Sequence, residues 1–296
     1  MNFIILITFA GCSGISFIQQ GPKKDLYSDA FLKQIEQVKK LYRQGEVATA
    51  LKNLQRIDDK TVTTPEQGMK YNLLGVIQFG QKEYQKAIAT FDQALNLSSE
   101  DPNLSGQVRL NLSSCYFKLS FWDKAYQVLK PVEVRSLTSE EANKYYKLRF
   151  RLAKELGKEA EELDTVAQIL TAKTNLLEVR GDPYFEILSN GFYKLPDTEK
   201  TRFIEKFSDP PVFAVGYLAY FQVEKIYYQG DREKARDLLN WLKSKFSSFE
   251  QIKSFVDNFS FRMENFAKMD TRSIGVVLPL SGDKKNFGER TLLGVD

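Results

Sequence analysis

Four stretches of this chain hold an aromatic and a small residue at one fixed separation, and no other feature limits the fold so tightly. They read LYRQGEVATALKNLQRI around Ala50, FGQKEYQKAIATF around Ala87, CYFKLSFWDKAYQVLKPV around Ala125 and KIYYQGDREKARDLLNWL around Ala235. The aromatic residues Tyr42, Phe79, Phe117 and Tyr227 each stand eight positions ahead of their alanine. Ala50, Ala87 and Ala125 follow at steps of 37 and 38, and the 110 residues from Ala125 to Ala235 leave room for two worn copies. In the fullest copy, Tyr71 to Leu95, Gly75 and Ala87 lie twelve apart, one on each helix of a hairpin, so that two backbones can approach closely. Phe91 and Leu95 share a helix face, and Ala94 clears room for the next unit. One such hairpin cannot bury its apolar face alone, so copies must stack.

This pattern of Leu74, Gly75, Tyr84, Ala87, Phe91, Ala94 and Leu95 resembles the tetratricopeptide repeat, whose period is slightly shorter. The resemblance implies an all-α solenoid of helical hairpins over residues 26–270. In such a solenoid the first helices line an inner surface that takes a peptide or another protein. On that register Asn72, Phe79, Phe117, Lys118, Tyr220, Glu224 and Tyr227 face the groove as candidate partner-binding residues. The aromatic column has a second reading, in which the rings pack between neighbouring hairpins and hold the stack together.

Punctuation fits short helices. Thr64-Pro65-Glu66-Gln67 predicts a helix start with Thr64 as N-cap and Gln67 reaching back, and Thr138-Ser139-Glu140-Glu141 repeats the device. Ser98 to Pro102 closes one repeat, and Gly45, Gly157 and Gly230 mark turns inside hairpins. Between 139 and 210 the small-residue signature fades, and Asp182-Pro183, Leu195-Pro196 and Asp209-Pro210-Pro211 cut shorter helices. Phe249 to Met269 predicts a closing helix with Ile252, Phe255, Val256, Phe259, Met263 and Phe266 on one side.

Composition narrows the chemistry. Histidine is absent, which removes His-based triads and most zinc or iron sites. The two cysteines, Cys12 and Cys115, are too few for a metal cluster, and Cys115 reads as a small hydrophobe inside a helix. With 42 basic against 38 acidic residues the surface is mixed, and no basic run with interleaved aromatics points to nucleic acid. Acidic clusters such as Glu159, Glu161 and Glu162 read as a solvated helix face. The expectation is a non-enzymatic protein with no cofactor and no metal.

The two ends change character. Met1 to Cys12, MNFIILITFAGC, resembles a bacterial lipoprotein signal ending in the lipobox Phe9-Ala10-Gly11-Cys12, and that family lipidates the cysteine. The alternative is an apolar N-terminus with a chance cysteine. Residues 13–25 read as a tether, and Ser13 after the cysteine implies the outer membrane. Ser273 to Leu280 is a β-branched run ended by Ser281-Gly282, and Phe287 to Asp296 predicts a helix. Over 271–296 the sequence resembles the first strand, loop and helix of the type 1 periplasmic binding proteins. That resemblance makes Ser281 and Gly282 candidate ligand-binding residues, with a small ligand only if a full C-terminal domain is present.

Lipobox, repeats and binding-protein start together resemble the penicillin-binding-protein activator lipoproteins. The resemblance implies a periplasmic scaffold, anchored to the outer membrane by its lipid, that regulates a peptidoglycan synthase. Two other readings stay open: a receptor capturing an amino acid or sugar, and a general envelope-assembly lipoprotein.

Overall fold

Seven of the described α-helices open on a residue whose side chain accepts from the first turn, satisfying N–H groups that a helix end leaves without partners. The computed structural model describes residues 26–265; the expected lipobox with Cys12, the expected tether over 13–25, the expected strand over 273–280 with Ser281 and Gly282, and the expected helix over 287–296 lie outside them. Among the described residues are α1 (Asp29–Arg43), α2 (Val47–Gln55), α3 (Thr64–Gly80), α4 (Tyr84–Asn96), α5 (Pro102–Lys118), α6 (Trp122–Leu129) and α7 (Ser139–Glu155). They continue with α8 (Glu159–Ile169), α9 (Leu176–Arg180), α10 (Pro183–Lys194), α11 (Asp197–Lys206), α12 (Phe213–Tyr228), α13 (Arg232–Phe246) and α14 (Glu250–Asn265). The described residues contain no β-sheet, only an isolated antiparallel bridge between Ser208 and Pro211.

One turn closes five hairpins. Gly45, Lys82, Ser120, Gly157 and Gly230 all adopt the left-handed conformation, with φ of 83°, 64°, 60°, 65° and 99°. In each, the next residue's N–H reaches the carbonyl five positions back: Glu46 to Leu41, Glu83 to Gln78, Phe121 to Tyr116, Lys158 to Ala153 and Asp231 to Ile226, at 2.8–3.3 Å. This is the Schellman closure, which satisfies helix-end carbonyls through one left-handed residue. The same five residues then accept from the N–H of Ala50, Ala87, Ala125, Glu162 and Ala235, starting the second helix. The stop of one helix is thus the start of the next, which fixes the angle between them.

The sequence reading locates three of these turns by their glycines and misses Lys82 and Ser120. Of the two worn copies, the first is a regular hairpin, α7 with α8, closed at Gly157. It escapes the pattern because Lys154 and Glu162 occupy the aromatic and small positions. The second, α10 and α11, turns instead through Leu195-Pro196. The start of α3 lies one residue earlier than expected. Thr63, not Thr64, is the N-cap, and Glu66, not Gln67, completes the box by accepting from the Thr63 N–H at 2.8 Å. Gln67 donates to the Asp59 carbonyl at 2.7 Å instead. Pro65 needs no N–H partner at this position, so both registers suit the sequence, and the carboxylate decides.

Contacts divide the chain into two compact units, at Gln222/Val223 within α12. In the first, the two helices of each hairpin from α1–α2 to α7–α8 pack on each other, and successive elements meet through α2 and α3, α4 and α5, α6 and α7, and α8 and α10. One apolar cluster runs from Tyr27 and Phe31 through Ala87, Phe91 and Ala94 to Leu112 and Cys115. A second joins Leu110 and Phe117 to Leu129, Tyr145 and Leu152. Helices α3 and α5 are buried on most sides and lie between their neighbours. In the second unit, α13 buries Ala235, Leu239, Leu242 and Phe246, and α14 buries Ile252, Val256 and Phe259. Phe255 and Met263 are half-buried, and the rest of the expected closing helix beyond Asn265 lies outside the described residues.

Candidate protein-interaction surface

The aromatic column of the sequence reading sits inside the packing. Phe79 is 6% exposed and Phe117 8%. Each ring meets the aromatic residue that opens the second helix of its own hairpin. Phe79 and Tyr84 have centroids 5.1 Å apart edge to face, and Phe117 and Trp122 are 4.8 Å apart. The left-handed turn brings these residues together, because residues on either side of it face each other across the hairpin mouth.

Asn72 is also buried, its Oδ1 accepting from Asn111 Nδ2 at 3.0 Å, so it joins α3 to α5. Tyr220 is buried with its ring 5.6 Å from Phe221. In the second unit Tyr227 is buried against Phe259, centroids 5.4 Å apart, and Glu224 accepts from Arg262 at 2.7 Å. Of the seven proposed groove residues, Lys118 alone is an exposed side chain. Sequence spacing places residues on a face; it does not say whether a neighbouring helix covers that face.

Carboxylates tie successive helix starts together. Glu66 accepts from the Ser28 N–H at 2.6 Å and hydroxyl at 2.7 Å as well as from Thr63, so the N-caps of α1 and α3 share one carboxylate. Burial pushes the Glu66 carboxyl up, but these donors outweigh it and hold the group below its ordinary value. Tyr27 donates to Asp101 Oδ2 at 2.6 Å, and Asp101 Oδ1 caps α5. Burial first, then the bond to Asp101, raises the Tyr27 phenol. Glu141, the matching box residue of α7, differs. Its Oε2 accepts from Thr138 N–H at 2.9 Å, while Oε1 is buried with no hydrogen-bond partner. Burial lifts the Glu141 carboxyl above its ordinary value despite Thr138 and Lys144. Glu161, on α8 of the same hairpin, accepts from Arg149 Nε at 2.6 Å and Tyr126 hydroxyl at 2.7 Å beside a cavity of about 40 Å³.

Cys115 is fully buried, and its thiol is pushed up to about 12 by burial and the nearby Asp92 charge, so it is held as a neutral thiol. Among the described residues no group of three or more Asp, Glu, Cys or His side chains is arranged to hold a metal, and no helix is long and apolar enough to cross a membrane.

No family model matches the chain, and no curated protein matches it. Among solved structures it is similar to the crystal structure of a tetratricopeptide repeat protein from Parabacteroides merdae ATCC 43184. That match has 18% identity over 78% of this chain and 98% of the other, with a TM-score of 0.24. At that score the superposition carries no argument. The hairpins themselves are helix pairs closed by one recurrent turn and nested at small residues.

Proposed function

We propose that the chain is a protein-interaction scaffold. The observation that carries this reading is the recurrence of one hairpin with a conserved interior and a variable outside. The turn, the buried or half-buried aromatic and the small crossing residue repeat at Gly45, Lys82 and Ser120, while exposed residues such as Lys118 and Lys147 follow no repeat. A stack of this kind offers a long surface of independently chosen side chains, which suits recognition of another protein. A photo-crosslinking residue in place of Lys118, in native cells, tests it. Discrete protein adducts are expected, and none from any exposed position on α5 and α7 would overturn the scaffold reading.

The finer reading is an outer-membrane lipoprotein that regulates a peptidoglycan synthase. Its support is the sequence resemblance at Phe9 to Cys12 and over 271–296. Labelled palmitate that enters the native protein and not Cys12→Ala, together with a synthase among the adducts, is the expected outcome. Label that is unchanged in Cys12→Ala removes the anchor.

A further inference from the structure

Counted back from the left-handed turn residue, the same three positions of each first helix can be compared. In α1 they are Ile35, Lys39 and Tyr42; in α3 Asn72, Val76 and Phe79; in α5 Leu110, Ser114 and Phe117. All nine are buried or half-buried. In α7 the three are Lys147, Arg151 and Lys154, and all are exposed. One hairpin has thus exchanged its share of the interior for a row of cations.

Spacings of four and three residues put the row on one face, with steps of about 6 Å and about 4.5 Å along the axis. The opposite side of α7 buries Tyr145, Leu148 and Leu152. Two carboxylates share the charged face. Glu140 is engaged by Lys144 at 2.7 Å, and Glu155 is exposed at the helix end. Among the described residues, Lys147, Arg151 and Lys154 make no ion pair. Arg151 is nevertheless held in place: its guanidinium lies 4.2 Å from the centroid of the Phe117 ring, which is itself fixed by Trp122. Stacking on a buried ring orients the planar group and leaves its edge donors for a ligand. Lys118, next to Phe117, adds an exposed cation on α5.

We propose that the stripe of Lys147, Arg151 and Lys154, edged by Lys118, docks an extended acidic segment of a partner protein. This rests on the scaffold reading and names the partner's chemistry. An extended chain sets alternate side chains about 6.8 Å apart on one side, near the ~6 Å step from Lys147 to Arg151, and the flexible stem of Lys154 spans the difference at the ~4.5 Å step, so Asp or Glu at every second position would meet the row. The stripe carries no exposed apolar side chain to enter a bilayer and no open ring on which bases could stack, since Arg151 covers Phe117.

The test is fluorescence anisotropy with the full chain and a labelled alternating Glu-Ser peptide, against an alternating Lys-Ser peptide, an oligothymidine and anionic phosphatidylglycerol vesicles. The acidic peptide alone should bind, weakening as salt rises from ~0.05 to ~0.5 M. Lys147→Glu with Arg151→Glu and Lys154→Glu should weaken it by at least ~10-fold, and Arg151→Lys by ~3-fold. Lys40→Glu with Lys52→Glu, exposed cations elsewhere, should leave it unchanged. Circular dichroism and melting identify any variant that fails to fold, and the single Arg151→Lys then carries the test. No binding, unaltered binding in the stripe variants, or equal binding of oligothymidine or vesicles would overturn the proposal. Crosslinked adducts at Lys118 that persist in the triple variant overturn the stripe and leave the scaffold standing; the absence of adducts from every exposed position on α5 and α7 of the native chain overturns the scaffold itself.

Discussion

The ring of Phe91 occupies the space that a β-carbon on Gly75 would need: an ideally placed Cβ there would stand 2.6 Å from Phe91 Cε1 and 2.8 Å from Cδ1. Phe91 is fully buried, so the ring has nowhere to retreat. Gly75→Ala should therefore destabilise the protein by about 1–3 kcal/mol through overpacking, outweighing the ~1 kcal/mol that alanine gains as a helix former. In a Phe91→Leu background the cost should shrink. Urea denaturation of the four proteins of this cycle measures the coupling, and additive effects would contradict the contact.

The turns make a prediction of opposite sign at matched sites. Lys82 and Ser120 hold left-handed backbones with φ of 64° and 60°, which cost a residue with a Cβ roughly 1 kcal/mol. Lys82→Gly and Ser120→Gly should each raise stability by about 0.5–1 kcal/mol, and Gly157→Ala should lower it by about 1 kcal/mol. A Cβ on Gly157 would meet nothing within 4 Å, so any loss reports backbone strain and not a clash. Denaturant midpoints at constant slope are the readout.

Glu66 and Glu141 occupy the same place in two capping boxes and should respond to pH in opposite directions. The Glu66 carboxyl lies below its ordinary 4.5, so its contribution is present above that value and lost as pH falls through the lowered one. The Glu141 carboxyl lies above 4.5, so its contribution is complete below that value and lost as pH rises through the raised one. Relative to the native chain, Glu66→Gln should lose stability as pH rises from acid to neutral, while Glu141→Gln should gain it. At neutral pH Glu66→Gln should cost about 1–3 kcal/mol, the usual loss when hydrogen bonds to a charged group are removed. Parallel slopes for the two variants would contradict the assignment.

Phe79→Ala removes a ring packed against Tyr84 and should cost about 3–5 kcal/mol of stability. Because the ring is 6% exposed, partner capture at a temperature where the variant stays folded should match the native chain. A loss of capture with native-like stability would return Phe79 to the interaction surface.

Between Tyr71 and Leu95 nearly every element of the hairpin was legible, because small and large residues at helical spacing specify which faces meet. Gly45, Gly157 and Gly230 announced their turns, since glycine is the residue to which the left-handed conformation costs least. Lys82 and Ser120 gave no such signal: there the Schellman hydrogen bonds and the packing on both sides impose the conformation on residues that would not choose it. The α7–α8 hairpin was hidden for a related reason. Its backbone keeps the turn while Lys154 and Glu162 abandon the side-chain signature.

The candidate interaction surface divides in the same way. Spacing alone placed Asn72, Phe79, Phe117 and Lys118 on first helices, and that much is determined by the period of the helix. Only the tertiary structure decided that the first three are covered by neighbours and that the exposed face moves to α7. Burial depends on which helices flank a residue, a relation between distant segments that local sequence does not carry. Local pattern fixed the hairpins, and the stacking of hairpins fixed what a partner can touch.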